Sequence, residues 1–154
     1  MNKIYTLLLL IGLMVSCTKK PSALNVTSPS STNTIDFHLS EDGTPYYLVR
    51  HGDKTVIDSS AMGFDFKDQN PLKSGLNLIS STENTVDETW KMPWGEQKEV
   101  VNHYNELVIT LEESEAPNRQ FNIYFRAYDD GIGFRYEFLP QQDRDSIIIM
   151  DENT

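Results

Sequence analysis

The feature that most narrows the folds open to this chain is alternation. From Phe121 onward apolar side chains fall on every second position, Phe121, Ile123, Phe125 and Ala127, with Asn122, Tyr124, Arg126 and Tyr128 between them. A strand sends successive side chains to opposite faces, so a period of two makes one apolar and one polar face. Asp129-Asp130-Gly131-Ile132-Gly133 then turns the chain, and Phe134, Tyr136 and Phe138 return inward. Asp-Gly is a leading hairpin signal. Read instead as a calcium loop, Asp129-Asp130-Gly131 supplies too few oxygens for the six or more that calcium takes.

The same period recurs upstream. Ile35, Phe37 and Leu39 alternate with Asp36, His38 and Ser40. After the Glu41–Thr44 turn, Tyr46–Arg50 pairs back, with Pro45 at the strand's start, where its missing N–H is tolerated. Thr55–Ile57 forms a third short strand, and Met62, Phe64 and Phe66 share a face. Leu76 opens a strand expected to end near Ser81, Glu106–Glu112 alternates again, and Ile147–Met150 forms a last short strand. His38, on the polar face of an edge strand, and His51, beside a turn glycine, read as solvated and structural respectively. No segment sustains helical periodicity. Many short strands at regular spacing predict an all-β fold, an antiparallel β-sandwich, here left incomplete because an apolar strand runs straight into Asp151–Thr154.

The chain has 154 residues, a formal net charge of -10 and a pI near 4.6. That excludes nucleic acid, whose phosphates need clustered Lys and Arg, and disfavours an anionic membrane surface. The single cysteine, Cys17, allows no internal disulfide. It follows a basic start, Met1-Asn2-Lys3, and an apolar run, Ile4–Val15, too short to span a bilayer comfortably. Met14-Val15-Ser16-Cys17 resembles a bacterial lipobox, with Met14 where leucine is usual. Residues 1–16 are therefore expected to be a lipoprotein signal peptide, and Cys17 the lipidated residue of a protein anchored in the cell envelope, periplasm or outer membrane. Residues 17–33, rich in Ser, Thr, Pro and Asn, read as a flexible tether, with the folded domain from Thr34 to the C-terminus.

Val86–Leu107 holds both tryptophans, Trp90 and Trp94, with Glu96 and His103. The two indoles suit either sugar stacking or packing, in a core or between domains. Glu96 and His103 are one Glu and one His in a strand and loop region, short of the fixed carboxylate geometry that glycosidic cleavage needs. No GxSxG, P-loop, GxGxxG or HExxH motif is present. Catalytic residues and metal ligands are thus read as none, with Trp90, Trp94, Glu96 and His103 as candidate carbohydrate or interdomain contacts.

Several motifs in one order resemble a known family. Val86-Asp87-Glu88-Thr89-Trp90, Pro93-Trp94-Gly95-Glu96, Asn102-His103-Tyr104-Asn105-Glu106-Leu107, Phe125-Arg126 and Asp129–Tyr136, preceded by Tyr46-Tyr47 and Gly63, resemble the N-terminal domain of glycoside hydrolase family 97. The match runs from about Thr34 to the C-terminus. The resemblance implies a galactose-mutarotase-like super-sandwich placed before a catalytic (β/α)8 barrel. It also implies an α-glucosidase or α-galactosidase of Bacteroidota that degrades α-linked oligosaccharide with the help of calcium held by glutamates. The deciding carboxylates of that family lie in the barrel, so none is assigned here. The resemblance implies that this chain is a portion of the first domain, binding no calcium and inactive alone, with the barrel as its partner. A stand-alone carbohydrate-binding lipoprotein using Trp90 and Trp94 is the alternative.

Overall fold

A computed structural model describes residues 24–140 and 146–154. The expected signal peptide, the expected lipidation site Cys17 and the polar opening of the expected last strand at 143–145 lie outside the described residues. Ten strands, and no helix, are found among those described: β1 (Leu24–Thr27), β2 (Asn33–Leu39), β3 (Pro45–His51), β4 (Lys54–Ala61), β5 (Gly63–Phe66), β6 (Leu76–Lys91), β7 (Glu99–Glu113), β8 (Gln120–Tyr128), β9 (Ile132–Phe138) and β10 (Ile149–Asn153). They form an antiparallel four-stranded sheet in the order β1-β2-β3-β4, a second in the order β6-β7-β8-β9, and a two-stranded β10-β5 sheet.

The two larger sheets close on one core. Ile35, Phe37, Tyr47 and Val49 from the first meet Leu107, Ile109, Leu111, Phe121, Ile123, Phe125 and Ala127 from the second. Phe37 lies 5.9 Å from Phe125 and Tyr47 5.5 Å from Phe134, centroid to centroid. The alternation of β8 is realised in full, since Phe121, Ile123, Phe125 and Ala127 are all buried. β5 adds Phe64, which packs edge-on against Tyr136 at 4.5 Å and Phe138 at 5.1 Å. Gly43 holds the first sheet against the start of β6. Its φ is +75°, and a Cβ there would sit 2.4 Å from the Leu76 backbone nitrogen, so a side chain is excluded.

Three expectations are corrected. The tether does not reach residue 33. β1 pairs with β2, Val26 is buried, and the Ser-rich turn after it is tied down: the Ser28 hydroxyl accepts from the Thr32 and Asn33 amides, both at 3.1 Å. Asn33, itself buried, donates to the Tyr128 carbonyl at 2.8 Å. Small polar residues here satisfy backbone groups instead of leaving the chain to solvent. Next, β2 lies between β1 and β3, so His38 is not on an edge strand, and its ring stacks on Tyr46 at 5.3 Å. Finally, β6 does not end near Ser81 but continues to Lys91, in unbroken register with β7 from Ser80 onward. His51 is structural as expected, its Nδ1 2.8 Å from the Asn33 Oδ1.

Candidate functional site

The long β6–β7 hairpin is the element that stands apart from the sandwich. β8 pairs with β7 only from Tyr104 to Glu112. Beyond that point Asp87–Lys91 and Glu99–His103 have each other and, among the described residues, no third strand. They form a two-stranded arm about 17 Å long at strand rise per residue. Met92 N–H donates to the Lys98 carbonyl at 3.1 Å and closes the turn. Asn102 donates to Glu88 at 2.6 Å across the strands, and Lys91 faces Glu99 at 3.9 Å.

Register assigns the faces. Trp90 opposes Val100, on the face that carries Val86 and Tyr104; Val101 opposes Thr89, on the face of Asp87 and His103. Core packing of the tryptophans, one of the two packing expectations, is corrected: Trp90 is 44% exposed and Trp94, in the turn, is 85% exposed. A two-stranded arm has water on both sides, which leaves Trp90 about half exposed and Trp94 almost wholly so.

Glu96 and His103 are not brought together. Glu96 is exposed in the turn, while His103 sits four residues along β7 from Glu99, about 13 Å at strand rise. His103 instead borders a shallow depression with Val101, Tyr128, Asp129, Asp130, Gly131 and Ile132. Asp129 serves the fold. It accepts the Ser30 amide at 2.8 Å, a bond that holds its carboxyl below the usual carboxylate range. Among the described residues no three His, Cys, Asp or Glu side chains are grouped so as to hold a metal.

At the arm's base the outer face of the second sheet is organised by groups that the first reading passed over. Arg126 lies 4.5 Å over the Tyr104 ring and donates to Glu106 at 2.7 Å; Tyr104 packs on Tyr128 at 4.9 Å. Glu106 and Tyr104 are buried there, and burial pushes the Tyr104 hydroxyl pKa up against the opposing pull of Arg126. Beside them Arg135 stacks 3.6 Å over Tyr124, whose hydroxyl donates to Glu137 at 2.6 Å. The readable signal was the polar register of β8: Tyr124, Arg126 and Tyr128 recur at the period of the core residues, too regularly for a face that is merely solvated.

The fold defines a class, an antiparallel β-sandwich with one long hairpin that runs beyond its neighbouring strands. The glycosyl-hydrolase 97 N-terminal family model matches residues 26–154, and the chain belongs to that family. A retaining alpha-galactosidase of Bacteroides thetaiotaomicron is 27% identical over 107 residues, covering 63% of this chain and 15% of that protein. A family 97 enzyme of a Pseudoalteromonas species, solved with panose and again with acarbose, superposes with a TM-score of 0.78 at 32% identity, covering 84% of this chain and 19% of that one. A beta-arabinopyranosidase shares the fold at 22% identity and a TM-score of 0.73. The chain thus spans about a fifth or less of the length of these relatives.

Proposed function

We propose that this chain is the non-catalytic N-terminal sandwich of an α-glycosidase, bracing a catalytic domain that hydrolyses α-glucosidic or α-galactosidic bonds of oligosaccharides. The observation that carries the reading is the family match over residues 26–154, together with a sheet face whose carboxylates are already engaged. Glu106 is held by Arg126 and Glu137 by Tyr124 and Asn122, so neither is poised as a free acid and base. The chemistry, and the calcium that assists it in the parent enzyme, belong to the catalytic domain. Met14-Val15-Ser16-Cys17 supports lipidation at Cys17 and a place in the cell envelope.

A sugar platform made by the two indoles is the weaker reading. Trp90 lies on a strand face and Trp94 in the turn, whereas a saccharide chain is gripped by rings that share one surface. The test is hydrolysis of p-nitrophenyl α-glucoside and α-galactoside with calcium present. The 154-residue chain should give none; turnover above the buffer rate overturns the non-catalytic assignment.

A further inference from the structure

Both outer faces of the sandwich are satisfied by their own side chains. On the first, Arg50 pairs with Asp36 at 2.8 Å and His38 stacks on Tyr46. On the second, Thr110, Asn122, Glu137 and Tyr124 form a hydrogen-bonded chain. Besides Val56 on β4 and Leu78-Ile79 at the start of β6, exposed large apolar groups lie at Ile147–Met150 and on the β6–β7 arm. Ile147–Met150 borders residues 141–145, outside the described ones; the arm is described from base to tip.

We infer that the arm is an insertion element, which buries both its faces and its tip in an apolar cleft of the catalytic domain. This rests on reading the chain as the N-terminal sandwich of a family 97 glycosidase. Apolar groups lie on both sides: Trp90 at 44% exposure is paired with Val100 on one, and Val101 at 68% is on the other. Met92 and Trp94 end it. A saccharide lying on a ribbon covers one face; a cleft between protein walls covers two. Trp and Met are enriched at the centres of protein interfaces. Unbroken pairing from Val86 to Lys91 and the Asn102–Glu88 bond fix the arm before contact, which lowers the ordering entropy lost on docking.

The occupant follows from charge and length. A second copy brings another formal charge of -10 against the first, which opposes self-association. The relatives carry more than four-fifths of their length beyond the part this chain matches, and a domain joined to the sandwich by the chain meets the arm at high effective concentration. Asp87, Glu88, Glu96 and Glu99 outnumber Lys91 and Lys98 around the apolar groups. The cleft should therefore be apolar within and rimmed by Lys, Arg or amide donors.

Trp90→Phe leaves Trp94 as the sole indole reporter. This variant is titrated with the catalytic polypeptide of the Pseudoalteromonas family 97 enzyme, following acrylamide quenching of fluorescence and complex formation by sedimentation. Quenching of Trp94 should fall about fivefold in the complex as the indole leaves water. In the otherwise native chain, Trp94→Ala and Val101→Asp, on different surfaces of the arm, should each weaken association about thirtyfold, the size of an interface hot spot. Both sites are exposed, so their melting curves should match the unsubstituted chain and exclude misfolding as the cause. A complex in which Trp94 stays open to quencher, or in which Val101→Asp is silent, overturns the insertion while leaving the domain assignment standing. Absence of any complex overturns the insertion and the bracing role, while the family membership over residues 26–154 stands. Protection of Trp94 by maltoheptaose, or by raising the concentration of the chain alone, overturns the inference in favour of a sugar or a second copy.

Discussion

Tyr136 shows what one atom costs. Its ring is wedged among Phe64, Phe121 and Phe134, while its hydroxyl is buried with no hydrogen-bond partner among the described residues. Burial pushes the hydroxyl pKa up, and Glu152 adds to the shift. With the folded-state pKa raised, the fold keeps its stability below the unfolded value, about 10, and loses it as pH rises past that, because ionising the buried hydroxyl opposes folding. At neutral pH the unpaired hydroxyl itself costs free energy, so Tyr136→Phe should stabilise the fold by about 1 kcal/mol in urea unfolding, and flatten the alkaline loss of stability. Glu137 has the opposite sign. The Tyr124 hydroxyl, then the Asn122 amide, hold its carboxyl below the ordinary value of 4.5, so its contribution is present above that value and lost as pH falls through the lowered one. Melting temperatures from pH 6 down to pH 3 should fall less steeply for Glu137→Gln than for the unsubstituted protein; an identical acid slope counts against the bond.

At the scale of elements, β8 and β9 were legible because one face is buried and the other is not, which writes a period of two into the sequence. β1 was hidden. Leu24 and Val26 alternate, but they sit in a run of Ser, Thr, Asn and Pro whose composition is that of a linker. The Ser28 and Asn33 side chains turn that composition into a tied turn. Val26→Ala should accordingly cost about 1–2 kcal/mol in chemical denaturation, a value scaled from buried methyl losses; no change would return these residues to the tether. The outer half of β6 was hidden for another reason. An arm exposed on both faces has no reason to alternate, so Ser80–Lys91 reads as polar sequence. The tryptophans invited a core assignment because tryptophan is usually well covered, and in this arm Trp90 and above all Trp94 stay exposed.

For the whole molecule, the fold class and family could be read before any coordinates because several motifs occur in one order. The candidate site could be read only in part. Trp90 and Trp94 stand out in the sequence, but their place with Val101 on one arm follows from strand register and from the lack, among the described residues, of a third strand there, neither of which is a local property of the sequence. Glu96 and His103, neighbours in a short stretch of sequence, are separated because that stretch is extended. The proposed function is a division of labour, in which this sandwich would brace a catalytic domain that supplies the chemistry. Sedimentation velocity of the 154-residue chain mixed with the catalytic polypeptide of the Pseudoalteromonas relative tests it most directly. The account predicts a single faster species at one-to-one stoichiometry; two independent boundaries at every ratio would contradict it.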